Sequence, residues 1–323
     1  MTALNNRSNN TFEMTQELLR ERADLSARLA LIPYEGSVEV KEKGAKKYLY
    51  IRKRISGKLT STYVGPYSEE LHQLLLRDAA TAKELRKTMR KIEKQLAQLG
   101  YTDEKLAPRV LLNLDFARAN MSASIYDQAI LEGVATSFPQ TEEIINNGTV
   151  VGMSASDVQK VLNLKHAWEF VLDKDVLLSP SNLHVLCHIA KMVNEGFFEN
   201  GGRLRGVPVT IGGTGYVPPL PQETVVAEHL ETILNSRSPA IDKAIQLVLY
   251  CMKAQIFLDG NKRAAIIFAN HFLVSRGGGL LVVPQELVAE FKELLVAYYE
   301  GREEKKMKSF MKKNCWRKYK ASM

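Results

Sequence analysis

Two apolar helical runs, separated by one short polar segment, constrain this chain more than any other feature. Upstream, Ile241 to Lys253 places Ala244, Leu247, Val248 and Cys251 at helical spacing. Downstream, Ala264 to Val274 is almost wholly apolar, with Phe268, His271 and Phe272 inside it. Such runs are satisfied as two buried helices, so Gln255 to Arg263 becomes the loop that joins them. Within that loop Asp259, Gly260, Asn261, Lys262 and Arg263 form a compact polar insert.

The insert has a chemical use. Gly260 lets the backbone turn tightly and approach a ligand closely. A helix beginning near Asn261 presents unpaired N–H groups that favour an anion, and Lys262 and Arg263 add positive charge there. Asp259 is the loop's carboxylate, placed to hold a divalent cation beside phosphates. Together these residues describe a Mg-nucleotide site. A solvated helix cap with an Asp259–Arg263 salt bridge is the alternative that the same residues allow.

The loop resembles the core motif of the Fic/Doc (Fido) family, H-x-F-x-D/E-G-N-G/K-R. Phe257, Asp259, Gly260, Asn261, Lys262 and Arg263 fall on it in register. The resemblance implies a mainly α fold with two central helices and a small β-hairpin flap over the nucleotide. It also implies ATP and Mg2+ as cofactors, and transfer of AMP to a hydroxyl of a target protein. The Doc branch, which carries Lys at the position of Lys262, transfers phosphate instead and belongs to toxin–antitoxin systems. By residue-for-residue carry-over, Phe257 anchors the loop, Asp259 binds Mg, and Gly260, Asn261 and Arg263 hold the phosphates.

Two departures alter the expected activity. The motif histidine, which takes the proton from the target hydroxyl, is Gln255 here. An amide has no useful basicity, and losing a general base commonly costs about 100- to 10,000-fold. The second is Ile266, where AMP-transferring members often place a further arginine; Lys262 supplies part of that charge. The expectation is an impaired or diverged adenylyltransferase, or one with a relocated base such as His271. A Doc-like phosphotransferase and a non-catalytic regulatory or nucleic-acid-binding protein are the alternatives.

Two more segments extend the resemblance over roughly 115–299. A helix is expected over Leu111 to Gln128, and beyond it Glu132-Gly133 resembles the inhibitory segment S/T-x-x-x-E-G/N, with Gln128 at the hydroxyl position. There the glutamate enters the nucleotide pocket; here Arg263 is its available partner, and a plain helix-end carboxylate is the alternative. From Gly201 to Pro221, Val207, Val209 and Ile211 alternate, Gly212-Gly213 turns, and Tyr216-Val217-Pro218-Pro219 returns. This resembles the flap pattern, which includes Gly202 and Arg205. The flap binds an extended target segment by strand addition, with Tyr216 either contacting the base or packing beneath.

The amino-terminal third reads as a separate module. A helix over Asn9 to Ala30 ends before Pro33. Lys47 to Arg54 alternates Tyr48, Tyr50, Arg52 and Arg54 on one face with Leu49 and Ile51 on the other; Ser56-Gly57 turns and Leu59 to Val64 returns as a hairpin. Its basic, aromatic face suits nucleic acid, or is simply solvated. Ser68 to Gln98 is a helix with Ser68 as cap and Glu69 and Glu70 in its first turn. Its Leu85, Met89, Ile92, Leu96 and Leu99 form a heptad-like seam, for a homodimer or for an intrachain partner such as the first helix. The expected organisation is 1–105 for this module, 106–300 for the Fido-like domain and 301–323 for a basic tail or helix extension.

The remaining residues set bounds. Net charge is +8, concentrated at 41–58 and 301–323, each locally +7, so the rest is mildly acidic at −6. Such asymmetry points to anionic partners at two places. No apolar run suits a membrane span, and Met1 to Thr11 lacks the apolar core of a signal peptide. Cys187, Cys251 and Cys315 are scattered, giving no metal pattern and suggesting a reducing, cytoplasmic setting. Helices are expected at Ser154 to Val171, Leu183 to Asn194, Pro221 to Ser236 and Glu286 to Tyr299, with a loop at Asp175 to Pro180. Asn163 and Ala167 read as packing and capping residues, and His184 and His188 as structural.

Overall fold

The chain divides between Asp103 and Glu104 into two units. A computed structural model describes residues 2–55, 57–148 and 150–319. The first unit holds α1 (Thr2–Ala30), the strands β1 (Ser37–Lys43), β2 (Lys46–Ile55) and β3 (Lys58–Pro66), and α2 (Glu69–Gln98). The strands form an antiparallel sheet in the order β1-β2-β3, one strand more than the expected hairpin. In β1 only Val38 and Val40 are apolar among glutamates and lysines, so its alternation is diluted. Gly57 carries the β2–β3 turn at φ 82°; Ser56, expected beside it, lies outside the described residues.

The pleat sorts β2 as its alternation requires. Leu49 and Ile51 are buried against Leu75 of α2, with Tyr34, Val38, Val64 and Leu71 packed around them. Tyr48, Tyr50, Arg52 and Arg54 take the opposite face. Ser68 caps α2, its Oγ accepting from the Leu71 N–H at 3.1 Å. The heptad seam meets α1 of the same chain: Ile92 and Leu96 pack on Leu19, with Leu18, Leu25 and Tyr101 adjoining.

The second unit comprises α3 (Pro108–Ala119), α4 (Met121–Leu131), α5 (Phe138–Asn147), α6 (Ala155–Val171), α7 (Lys174–Leu178), α8 (Leu183–Val193), α9 (Glu223–Asn235), α10 (Ala240–Ala254), α11 (Asn261–Val274), β4 (Leu280–Leu281), α12 (Val288–Tyr299), α13 (Glu304–Phe310) and β5 (Trp316–Arg317). The single helix expected over Leu111 to Gln128 is two, broken at Asn120, whose side chain donates back to the Phe116 carbonyl at 2.8 Å. A helical turn, α7, occupies part of the expected loop at Asp175 to Pro180. α5 begins with a capping box formed by Ser137 and Gln140.

α11 is the axis of this unit. It packs on α10, α8 and α6, and all its residues from Arg263 to Val274 are buried. Its one buried amide there, Asn270, is satisfied by strand-like pairing: it donates to the Leu281 carbonyl and accepts from the Leu281 N–H, both at 2.8 Å. Asn163 accounts for another helix end, donating to the Glu195 carbonyl beyond α8 at 2.7 Å.

Of the tail expected at 301–323, residues 304–317 are neither a solvated tail nor an extension of α12, and 320–323 lie outside the described residues. α13 and the π-helical turn at Met311–Cys315 lead into β5, which pairs antiparallel with β4. Met307, Phe310, Met311 and Cys315 are buried while the intervening lysines face outward. The lysines masked this apolar stripe in the sequence. Burial pushes the thiols of Cys187, Cys251 and Cys315 up to about 12, so they are inert packing groups. His188 stacks on Phe170 at 4.7 Å, and no metal-ligating cluster occurs among the described residues. No described helix is long and apolar enough to cross a membrane.

If residues 304–317 belong to the core, Met307→Ala should destabilise the protein by about 2–4 kcal/mol. The midpoint of urea denaturation measures it; an unchanged midpoint would return this segment to the surface.

Candidate functional site

The loop between α10 and α11 is built from side chains bonding backbone. Gln255 closes α10 in the left-handed region, at φ 45° and ψ 59°, a conformation that costs a non-glycine residue on the order of 1 kcal/mol. Its side chain folds back, Nε2 donating to the Met252 carbonyl at 2.7 Å. Asn261 then clamps the loop: Oδ1 accepts from the Phe257 N–H at 2.9 Å, and Nδ2 donates to the Phe257 carbonyl at 2.8 Å and to Gln255 Oε1 at 3.2 Å. The Asn261 amide is therefore fully used within the loop. Phe257 is buried beneath it.

Gly260 sits at φ 75°, where a Cβ would lie 2.8 Å from Asn194 Oδ1. Both facts require glycine. Asn194, fully buried, donates to the carbonyls of Asp259 at 2.9 Å and Gly201 at 3.2 Å. Its place at the end of an apolar helix gave no sequence signal for this role. No side chain caps the start of α11, which leaves its first N–H groups directed at the loop.

Arg263 is 3% exposed. Nη1 donates to the Val193 carbonyl at 2.6 Å, and Nη2 to Asp259 Oδ2 at 2.8 Å. Its Nε lies 3.6 Å from Glu132 Oε2, while Lys262 Nζ lies 3.5 Å from Glu132 Oε1. Glu132 ends α4, and Gly133 turns the chain away at φ 77°. Glu132 Oε1 and Arg263 Nε are buried without a hydrogen bond, so this contact is an ion pair only. One turn earlier Gln128 donates to the Arg263 carbonyl at 2.9 Å and accepts from Trp168 Nε1 at 3.1 Å. The Asp259 side chain, half exposed, stays open to solvent. Ile266 is buried, so no second arginine reaches the site from that turn.

The flap segment departs from the expected hairpin. Its Gly212-Gly213 turn forms, with Gly213 at φ 83°, but no β-ladder joins its arms. Pro208, Pro218 and Pro219 have no N–H to donate. Buried Arg205 ties the arms instead, donating to the carbonyls of Val207 at 2.8 Å, Pro218 at 3.2 Å and Pro219 at 2.6 Å. Its Nε also donates to the Gln255 carbonyl at 2.6 Å, wiring the flap to the motif loop. Val209 and Ile211 are half-buried. Tyr216 stacks on Tyr299 at 6.4 Å, with Lys253 Nζ 5.1 Å from its ring. It borders a cavity of about 390 Å³ that Leu220, Tyr250 and Tyr298 also line.

His271 is not a relocated base. It lies ten residues along α11 from Asn261, roughly 15 Å of helix rise away. Nε2 meets the Val176 carbonyl at 2.7 Å, so it carries the proton, and Nδ1 accepts from Ser181 Oγ at 3.0 Å. Desolvation pulls its pKa down to about 4.

Residues 180–273 match the Fic/DOC family, and residues 13–73 match a domain of unknown function, DUF6788. Solved structures with the same fold include Fic-1 (residues 134–508) from C. elegans, at 19% identity and TM-score 0.50, covering 76% of this chain and 73% of that one. A Fic family protein from Desulfovibrio desulfuricans G20 aligns at 16% identity and TM-score 0.51, over 66% of this chain and 74% of that one. A Fic domain containing signaling protein from Bacteroides thetaiotaomicron aligns at 18% and 0.50, over 59% and 75%. No curated protein matches. The second unit is thus a mainly α, Fic-type fold in which residues 180–273 match the Fic/DOC family.

The buried His271 predicts a pH dependence. Its contribution is full above the ordinary histidine pKa of 6.5 and is lost as pH falls toward about 4, because only the unfolded chain takes the proton. That shift corresponds to about 3 kcal/mol. Denaturation at pH 7 and 4.5 should show the loss, and His271→Gln should flatten it.

Proposed function

We propose that the second unit binds Mg-ATP and is related to protein adenylyltransferases, with transfer impaired by Gln255. The observation that carries this reading is the carboxylate of Glu132 between Lys262 Nζ at 3.5 Å and Arg263 Nε at 3.6 Å, beside an uncapped helix start. An anion already sits at the cationic end of the loop, without hydrogen bonds. A phosphate fits that place better, since its several oxygens can take the N–H groups of α11 as well as the two side chains. Glu132 is accordingly assigned an inhibitory role.

Asp259 fits a Mg2+ shared with phosphates: it is half exposed, with only one oxygen engaged by Arg263. When bound, the ion would neutralise phosphate charge. Arg263, already in place through Val193 and Asp259, orients the phosphates, assisted by Gly260 and Lys262. Asn261 contributes by holding the loop and through its backbone N–H. Gln255, tied to Met252 and Asn261, holds loop geometry but accepts no proton from a target hydroxyl. The flap, with its unpaired arms, receives the target protein by strand addition.

Lys262 and the apolar Ile266 favour a second reading, Doc-like phosphate transfer. ATP labelled at the α or γ phosphorus separates the two. Glu132→Gly should raise ATP affinity, and adding Gln255→His should yield labelled protein about 100-fold or more above the unaltered chain. If Glu132→Gly binds no ATP, the reading is overturned.

A further inference from the structure

The first unit contains a cationic groove that the chemistry of the second does not use. Arg52, Lys53 and Arg54 lie where β2 runs on past the start of β1, since Ser37 pairs with Arg52. Of these Lys53 shares the α2-facing side of the sheet, and across a groove of about 730 Å³ that Arg52 and Arg54 border, α2 presents Lys83, Arg86, Lys87 and Arg90, spaced to share one helix face. The floor is low because Gly36, Ala79 and Ala82 line it. The single carboxylate in the lining is Glu35, which pairs with Lys53 at 2.5 Å and with Arg86. Lys87 pairs with Glu84 at 3.3 Å on the helix surface. Arg52 comes only within 3.9 Å of Glu39, and among the described residues no ion pair engages Arg54, Lys83 or Arg90. So many exposed like charges around a concave surface repel one another, and a polyanion relieves that repulsion.

A second observation narrows the polyanion. Arg52 and Arg54 belong to the solvent face of the sheet, and that face also carries Tyr48, Tyr50 and Tyr63. Tyr63 is 51% exposed, with its ring 5.5 Å from Tyr50 and 6.1 Å from Tyr48. Lys41 Nζ lies 4.3 Å above Tyr50. Cations suited to phosphates therefore continue through Arg52 into rings suited to stacking. Duplex bases are hidden from such rings, whereas unpaired bases reach them. A membrane surface would use the cations but gives the tyrosines no bases to stack.

We propose that the first unit binds single-stranded nucleic acid, its bases on the tyrosine face and its backbone passing Arg52 and Arg54 around the end of β2 to the cations of α2. RNA and DNA present the same phosphates and π-faces, so both serve as probes. Fluorescence anisotropy of the full chain with oligo-dT and oligo-U of about 20 nucleotides tests this, alongside a duplex and anionic phosphatidylserine vesicles. Affinity for the single strands should fall by about tenfold or more between roughly 50 and 200 mM salt. The triple variant R52E/K83E/R90E should weaken binding by at least about tenfold. The pair Y50A/Y63A should weaken it by about fivefold or more and leave the salt slope unchanged. Circular dichroism checks folding, and K83A/R90A, confined to the exposed face of α2, replaces the triple variant if that unfolds. No binding at low salt, undiminished binding by the charge variants, an unchanged affinity for Y50A/Y63A, or tighter binding to duplex or vesicles would each overturn the proposal.

Discussion

The buried guanidinium of Arg263 is the constraint on which the motif loop depends. A charge out of water costs several kcal/mol unless it is paired and fully hydrogen-bonded. The surrounding structure supplies the Val193 carbonyl, the Asn194 amide oxygen at 3.4 Å and Asp259. These partners come from the end of α8, the loop and, through Glu132, the end of α4, so one side chain fixes the relation of three elements. Glu132 differs from the others because it approaches without a hydrogen bond. On the proposed reading, Glu132 can leave for a phosphate while Val193 and Asp259 keep Arg263 in place. That separation of a permanent pair from an exchangeable one is what an inhibitory carboxylate requires.

Arg205 solves a different problem with the same side-chain chemistry. The flap arms contain prolines that donate nothing, so their carbonyls need donors from elsewhere. A single guanidinium provides them and also reaches the Gln255 carbonyl. Its burial lowers its pKa by desolvation, yet a guanidinium remains charged at any ordinary pH. The left-handed backbone at Gln255 is thereby held from outside by Arg205 and from inside by Met252 and Asn261. Flap and loop consequently share one network, although no β-ladder joins the flap to itself.

What the sequence revealed follows from the range of the interactions involved. The α10–α11 pair, the burial of Phe257 and the turn at Gly260 were legible because periodicity and local backbone geometry determine them. The approach of Glu132 to Arg263 was visible only through a motif resemblance, since the two are far apart in the chain. The work of Asn194 and Arg205 was not legible: their partners are carbonyls distant in sequence, and carbonyls carry no residue signature. The missing ladder of the flap was hidden because Val207, Val209 and Ile211 alternate like a strand while the prolines opposite them donate no N–H. β1 and residues 304–317 were missed for a shared reason, lysines and glutamates diluting a short apolar stripe.

The two basic segments show why charge read along a chain cannot by itself locate a partner. Both carry the same local excess of +7, and the structure gives them opposite meanings. In the carboxy-terminal segment Lys312 pairs with Asp242 at 2.7 Å, Arg317 with Asp127 at 2.7 Å, and Lys308 with Glu304 at 2.5 Å. The first two pairs tie the segment to the core and offset two of its seven net charges, while the third lies within α13. Around the groove of the first unit, by contrast, Lys53 of β2 and four cations of α2 share one concavity, and among the described lining residues Glu35 is the only acid. Burial of the apolar partners turns one segment into a strap, while concavity and uncompensated charge make the other a surface for a polyanion.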